Sequence, residues 1–317
     1  MLNKKRKYCI YFQTKNHYQL FENMVFKHSS VPFQDVVMIN HDVGSSPDQL
    51  EKAKEICSKY GIHWMNKEED TVRKTHHELM FEAIDWLEKS EYDFDWILRV
   101  HDDAYPTTPN FWNKLDDILL KHEDNFLNKV GSFAFANSDG NKKFGRGCIE
   151  QGIISNCGGW YNNLPRYAEY KSKDYFVVES PLDWAKAYNI KLMKKYIKVD
   201  KGYHLNHADD DISHQFMLNG IYNICFPNLT YVHDIGGKFK FTGYSSMSGL
   251  GFEEGKKRFA EKWLWPWGAH NGEKKIRDIF TKNCLSTDKY SKSIQKKIFN
   301  SSISDGPKTI EDYERME

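Results

Sequence analysis

No apolar run in the sequence approaches the roughly 20 residues that a helix needs to cross a bilayer, so no transmembrane segment is expected. The start, MLNKKRKYCIYFQTKNHYQL, has a basic head, but its apolar stretch ends within a few residues at Gln13, Thr14 and Lys15, which argues against a cleaved signal peptide. Net charge is almost absent: 45 Lys+Arg against 44 Asp+Glu leave +1, which argues against a nucleic-acid binder driven by global charge. Cysteine is scarce, with 6 in 317 residues and no CxxC pair, so a reduced, cytoplasmic protein is expected, Cys148 and Cys157 being the pair considered for a bridge. Glycine-rich phosphate motifs are missing too: there is no GxGxxG after the first strand and no GxxxxGK[ST]. A Rossmann dehydrogenase or a P-loop enzyme is therefore disfavoured, and any diphosphate has to be held by a metal and by cations such as Arg99, Arg146, Lys238 or Lys240.

What is present is a chain that can bury a large core, with 40% hydrophobic and 15% aromatic residues, no internal repeat and no low-complexity linker. Its first hundred residues alternate strand and helix patterns. KYCIYFQ, DVVMIN, IHWMN and DWILRV read as strands, separated by helices at YQLFENMVFKHSS, at PDQLEKAKEICSKYG, and at about 71–89. Such units imply a parallel sheet, and in open sheets of this kind ligands sit beyond the carboxyl ends of the strands. Gln13 and Thr14, Asn40 to Asp42, and His101 to Asp103 stand at those ends. In the second half, VGSFAFANS, DYFVVES, YNICFP and LTYVHD read as strands, PLDWAKAYNIKLMKKYI and DDDISHQFMLNG as helices, and the stretch at about 236–256 as a glycine- and serine-rich loop.

Four short motifs carry chemistry. In HDDAYP (101–106), an extended chain would put His101 and Asp103 on one face and Asp102 on the other. A carboxylate and an imidazole there could hold Mn2+ or Mg2+, and the competing reading is an acidic turn that caps the next helix. VHD (232–234) ends a strand with His233, a metal ligand if joined to Asp103 and otherwise a structural histidine. ADDDISHQFMLNG (208–220) opens a helix with Asp209, Asp210 and Asp211, which suit the helix dipole but also suit a carboxylate that accepts a proton. In HDVGSSPD (41–48), Asp42 or Asn40 could hydrogen-bond a ribose or a base edge, while Ser-Ser-Pro reads equally as an ordinary helix start. The Trp263, Trp265 and Trp267 cluster suits a core edge, a sugar ring or a membrane interface.

Taken in order from about residue 5 to 237, these motifs resemble GT-A fold glycosyltransferases, especially the inverting glycosyltransferase family two. HDDAYP stands where that family carries its DxD-type metal motif, with Asp103 at the last acid and His101 in place of the first. DDDISHQFMLNG with the later VHD follows the order of the family's acidic helix and late histidine, with Ala208 and Gln215 in place of its usual Glu and Arg. Asp42-Val43-Gly44-Ser45-Ser46-Pro47-Asp48 is similar to the segment that contacts the nucleotide.

The resemblance implies an α/β fold: a mixed, mostly parallel GT-A sheet flanked by helices, one domain over 1–270 with a charged, helical extension over 271–317. It implies a nucleotide-sugar half (1–106) and an acceptor half (107–270). It further implies a divalent cation, Mn2+ or Mg2+, on His101, Asp103 and His233, a donor held by Gln13, Thr14, Asn40, Asp42, Arg73 and Asp102, and Asp209 as the base, with Asp210 and Asp211 as alternatives. The expected partners are a nucleotide sugar, UDP-linked by family habit, and a glycan or glycoconjugate acceptor, without nucleic acid and with peripheral membrane contact left open. The competing functions are a metal-dependent phosphohydrolase or nucleotidyltransferase, and a non-catalytic carbohydrate-binding protein.

Overall fold

Lys7–Thr14 forms strand β1 and is followed by helix α1 (Tyr18–Ser29), strand β2 (Val36–Asp42), helix α2 (Pro47–Tyr60) and strand β3 (His63–Trp64). Helix α3 (His76–Lys89) then leads to strand β4 (Phe94–Val100). The computed structural model describes residues 7–29, 36–66, 74–90, 93–137, 174–178, 180–181, 184–203, 207–219, 221–233, and Gly255, 257–259 and Lys262. Arg73, Arg146, Cys148, Cys157, Gly220, Lys238, Lys240, Trp263, Trp265, Trp267 and the 271–317 extension lie outside the described residues, as does the side chain of His233.

The alternating pattern produces what it implies. β3, β2, β1 and β4 lie side by side in that order, each pair parallel, with Thr14 level with Asp42 and Phe12 level with Val100. Pro47 starts α2, where its missing N–H costs nothing, and Gly61 ends it at φ +67 with its N–H on the Cys57 carbonyl. Helix α3 begins at His76 because Thr75 and Glu78 close a reciprocal capping box.

The second half completes the sheet with β5 (Ala104–Pro106), helices α4 (Phe111–Lys121) and α5 (Glu123–Lys129), and strands β6 (Val130–Asn137), β7 (Phe176–Val178) and β8 (Ala185–Asn189). Helices α6 (Ile190–Tyr196) and α7 (Ala208–Leu218) and strand β9 (Tyr222–His233) follow. Among the described residues the sheet has nine strands and runs β3-β2-β1-β4-β8-β6-β9-β5, with β7 also on β9. It is mixed: β8 is antiparallel to both β4 and β6, β6 and β9 are parallel, and β5 and β7 are antiparallel to β9.

Three expectations need correction. The 181–197 stretch is not one helix. Residues 185–189 are inserted between β4 and β6, where strand pairing and burial of all five side chains outweigh the helical preference of Ala and Lys. YNICFP and LTYVHD are one continuous strand, β9, whose register against β6 slips between Phe135 and Ala136 to accommodate residues 227–229. The chain does not stay extended after β4 either. Ala104 N–H bonds to the His101 carbonyl (3.2 Å), so residues 101–104 form a turn with Asp102 and Asp103 at its corner, and the strand-like alternation of His101 and Asp103 is lost.

Each face of the sheet has its own apolar core. On one, Tyr8, Ile10, Phe12, Leu98 and Val100 pack against α1, α2 and α4. On the other, Cys9, Tyr11, Ile97 and Tyr188 pack against α3, α6 and α7 through Met80, Ile84, Met193, Ile212 and Phe216. Strand alternation therefore sends the odd-numbered residues of β1, including Gln13, to the α3/α7 face.

Candidate active site

The carboxyl ends of β1, β2 and β4 carry a connected set of polar side chains on that face. Gln13 Oε1 accepts from Arg99 Nε (3.1 Å) and bonds His76 Nδ1 (3.0 Å), while Gln13 Nε2 donates to Tyr11 Oη (2.9 Å). Tyr11 Oη in turn bonds His41 Nδ1 (2.8 Å), and His41 Nε2 stands 3.6 Å from Glu82. Burial of Tyr11 pushes its hydroxyl well above the usual range, so it stays protonated.

Thr14 and Asn40 are buried and hydrogen-bond each other (3.1 and 3.3 Å). Asp42 shapes its own loop. Its carboxylate accepts from the Gly44 N–H (3.0 Å), the Ser45 N–H (2.8 Å) and the Ser45 hydroxyl, a turn that Gly44 permits with φ +101. Asn16 joins the β1 and β2 loops, with its N–H on Ser45 Oγ and its Oδ1 taking the Ser46 N–H, both at 2.7 Å. Gln13, Thr14, Asn40 and Asp42 thus lie at one end of the sheet, Gln13 on the α3/α7 face and the other three on the opposite face, where their side chains first serve to build the rim itself.

The His101–Asp103 turn adjoins this rim. All three residues are half-buried. Burial and the neighbouring Asp103 carboxylate push Asp102 up to about 7, against the opposing pull of His101 and Arg99. Two crowded carboxylates beside an imidazole offer hard oxygen and borderline nitrogen, a donor set that fits Mg2+ or Mn2+. Asp103 also acts electrostatically on His17, in the loop after β1, which the sequence reading had not singled out. Ala104 pairs with His233 in the antiparallel β5–β9 ladder, so the backbone of His233 runs beside the turn that carries Asp103. Among the described residues, no three His, Cys, Asp or Glu side chains converge on a common point.

Helix α7 brings in the three aspartates, all buried, and each has different neighbours. Asp210 accepts from Ser180 Oγ (2.7 Å) and bonds His207 Nδ1 (3.0 Å), with His207 in the left-handed region at φ +65. Asp211 accepts from Gln215 Nε2 (2.7 Å) and pairs with the buried Lys262 (2.8 Å), which also reaches Asp200 (3.0 Å). Arg258 adds a second cation on Asp200. Burial opposes ionisation there, but the Arg258 hydrogen bond and the Lys262 charge hold that carboxyl at about 2. His77 donates from Nε2 to the Ala208 carbonyl (2.9 Å) and accepts the Asp200 N–H at Nδ1 (2.9 Å), which defines a neutral tautomer; its burial lowers its proton affinity. Asp209 has Lys186 of β8 at 3.7 Å from its carboxylate and 3.0 Å from its carbonyl oxygen.

The acidic helix and the HDD turn meet through the sheet. Lys186 is the register partner of Arg99, and His101 N–H bonds the Trp184 carbonyl (2.9 Å). One lysine side chain and one strand spacing, about 5 Å, therefore separate Asp209 from the backbone two residues before His101. The sequence reading passed over Lys186, whose signal was a lone charge in the apolar run Trp184-Ala185-Lys186-Ala187-Tyr188.

No family model and no curated protein matches this sequence. Solved structures do. GalNAc-T7 with UDP, GalNAc and Mn2+ matches over 95% of this chain and 58% of its own, at 14% identity and a TM-score of 0.56. S. aureus TarS matches over 92% and 47% (15% identity, TM-score 0.48). The mannosyltransferase PcManGT from Pyrobaculum calidifontis, in complex with GDP-Man and Mn2+, matches over 80% and 61% (11% identity, TM-score 0.47). The chain thus spans about half to three fifths of the length of these matches. With four parallel strands ending in a polar rim, an antiparallel β8 beside them, and a likeness to GalNAc-T7 along nearly its whole length, this chain has the GT-A fold.

Proposed function

We propose that the protein is a metal-dependent glycosyltransferase that moves a sugar, with inversion, from a nucleotide-diphosphate sugar to a hydroxyl of a glycan or glycoconjugate. The observation that supports this most strongly is the β5–β9 register, which brings the backbone of His233 beside Asp103, at the same end of the sheet as Asp209. A UDP-linked donor is the specific choice, in line with the UDP in the GalNAc-T7 complex. The donor is held by Gln13, Thr14, Asn40, Asp42, Arg73 and Asp102, in the 1–106 half, and the acceptor by the 107–270 half. The expected location is the cytoplasm, with peripheral membrane contact through the basic start and the tryptophan cluster left open.

Asp103 and His233, with His101, would hold the cation. Bound there, Mn2+ or Mg2+ supplies positive charge that offsets the charge developing on the departing diphosphate. Asp209 removes the proton of the acceptor hydroxyl as that oxygen bonds to the anomeric carbon. The bond from the same carbon to the diphosphate oxygen breaks, and its electron pair leaves with the diphosphate. Asp209 is preferred to its neighbours because its side chain is 8% exposed, against 3% for Asp210 and 0% for Asp211. The latter two are also bound by serine, histidine, glutamine or lysine.

The test is a panel of nucleotide sugars with and without Mn2+, read by thermal shift and by donor turnover. A donor-selective shift that needs Mn2+, with turnover abolished by EDTA, is expected. Glycan binding indifferent to EDTA, with no nucleotide-sugar turnover, would instead identify a carbohydrate-binding protein. Release of inorganic phosphate from simple phosphate esters would identify a phosphohydrolase, and joining of a nucleotide to a sugar phosphate a nucleotidyltransferase.

A further inference from the structure

Lys186 is wholly buried, although lysine is the most strongly hydrated of the cationic side chains. Its ammonium donates to Ser213 Oγ (2.7 Å) and to the Asp209 carbonyl (3.0 Å), and reaches Ser180 Oγ at 3.5 Å. Ser213 Oγ donates a hydrogen bond to the same Asp209 carbonyl (2.9 Å), and Ser180 Oγ donates to Asp210. The Asp209 carboxylate lies 3.7 Å from the ammonium, beyond hydrogen-bond distance, so that contact acts through charge. A neutral donor could tie β8 to the first turn of α7 equally well. Taking a full charge out of water is costly, and here the charge lies 3.7 Å from the Asp209 carboxylate, the most exposed of the three.

We infer that Lys186 is a positioning residue for Asp209: its charge favours the ionised carboxylate, and its bonds to the Asp209 carbonyl and Ser213 set the first turn of α7. This rests on the reading of Asp209 as the base. Among the described residues, the other charged or titratable groups around that turn are Asp210, Asp211 and His214 on α7 itself, His207 before it, His77 from α3, Asp200 and Tyr203 from the loop after α6, and Arg258 and Lys262 from the C-terminal helical residues. Lys262 and Arg258 engage Asp211 and Asp200, and Lys186 places its charge 3.7 Å from the Asp209 carboxylate.

The experiment compares wild type, Lys186→Gln, Asp209→Asn and the double variant for donor turnover from about pH 5 to 9, with thermal unfolding alongside. Gln keeps an amide donor but no charge. Lys186→Gln should hold the donor KM within about twofold and lower kcat about tenfold near pH 6, with the acid limb of kcat moved up by about one pH unit. An unchanged acid limb, or a loss of the same factor at every pH, would overturn the inference and leave Asp209 as base. Full activity in Asp209→Asn would overturn both. If Lys186→Gln does not fold, the double variant should melt higher than that single one, because it lacks the uncompensated carboxylate. A double variant no more stable would also overturn the charge role.

Discussion

Ala104 and His233 face each other across the short antiparallel β5–β9 ladder, 129 residues apart in sequence. Tyr105 with Val232 and Pro106 with Tyr231 complete that ladder, and Thr107 N–H continues it onto the Thr230 carbonyl (2.9 Å). Three paired residues thus anchor the HDD turn against the end of β9. Pro106 closes β5 where the ladder needs no further N–H from it.

If the cation sits in that corner, Asp103→Asn should abolish the Mn2+-dependent thermal shift and lower turnover by at least about 10²-fold. Asn keeps the shape and removes the charge. The melting temperature without metal should change little, because Asp103 is half-buried and sits in a turn. Thermal shift against Mn2+ concentration checks both statements.

The three aspartates of α7 should separate by assay. Asp209→Asn should cut kcat about 10²- to 10⁴-fold with little change in donor KM. Asp211→Asn should act on stability instead, by roughly 3 kcal/mol, since it removes one of the two carboxylates that neutralise the buried Lys262. Denaturant melts and steady-state kinetics on the two proteins decide it.

Acid sensitivity has a defined source in His28. It is buried between Phe12 and Tyr231, donates from Nδ1 to the Met24 carbonyl (2.9 Å), and burial pulls it down to about 4. The unfolded chain takes up this proton near pH 6.5, the folded chain only near 4, so stability is full above about 6.5 and falls as pH drops through that window. The contribution reaches about 3 kcal/mol at pH 4. His28→Leu should lose this part of the pH slope, measured as the difference between the two proteins' unfolding free energies at pH 7 and pH 4.5.

A packing test lies at Gly131 in β6. A β-carbon there would come within 2.4–2.6 Å of the Phe216 ring of α7. Gly131→Ala should destabilise by about 1–3 kcal/mol, and Phe216→Leu should recover part of the loss in the double variant.

Much of the first half was legible in the sequence because its elements are local. Short apolar runs bounded by turn and capping signals read as β1, β2 and β4, and Pro47 and Gly61 marked the ends of α2. Helices α4 and α5 went unread, although Phe111, Trp112, Leu115 and Leu119 are buried at helical spacing. β8 was misread because its helix-forming residues are held extended by two neighbours remote in sequence, β4 and β6.

By itself the sequence determined the α/β class, the order of the chemical motifs and the residue types at the strand ends, since period, capping and composition act over a few residues. Only tertiary structure decided that Asp42 shapes a loop, that residues 101–104 turn, and that Lys186 stands beside Asp209. Those outcomes depend on strand pairing and on the cost of burying charge, which bring together groups far apart in the chain and cannot be read from either segment alone.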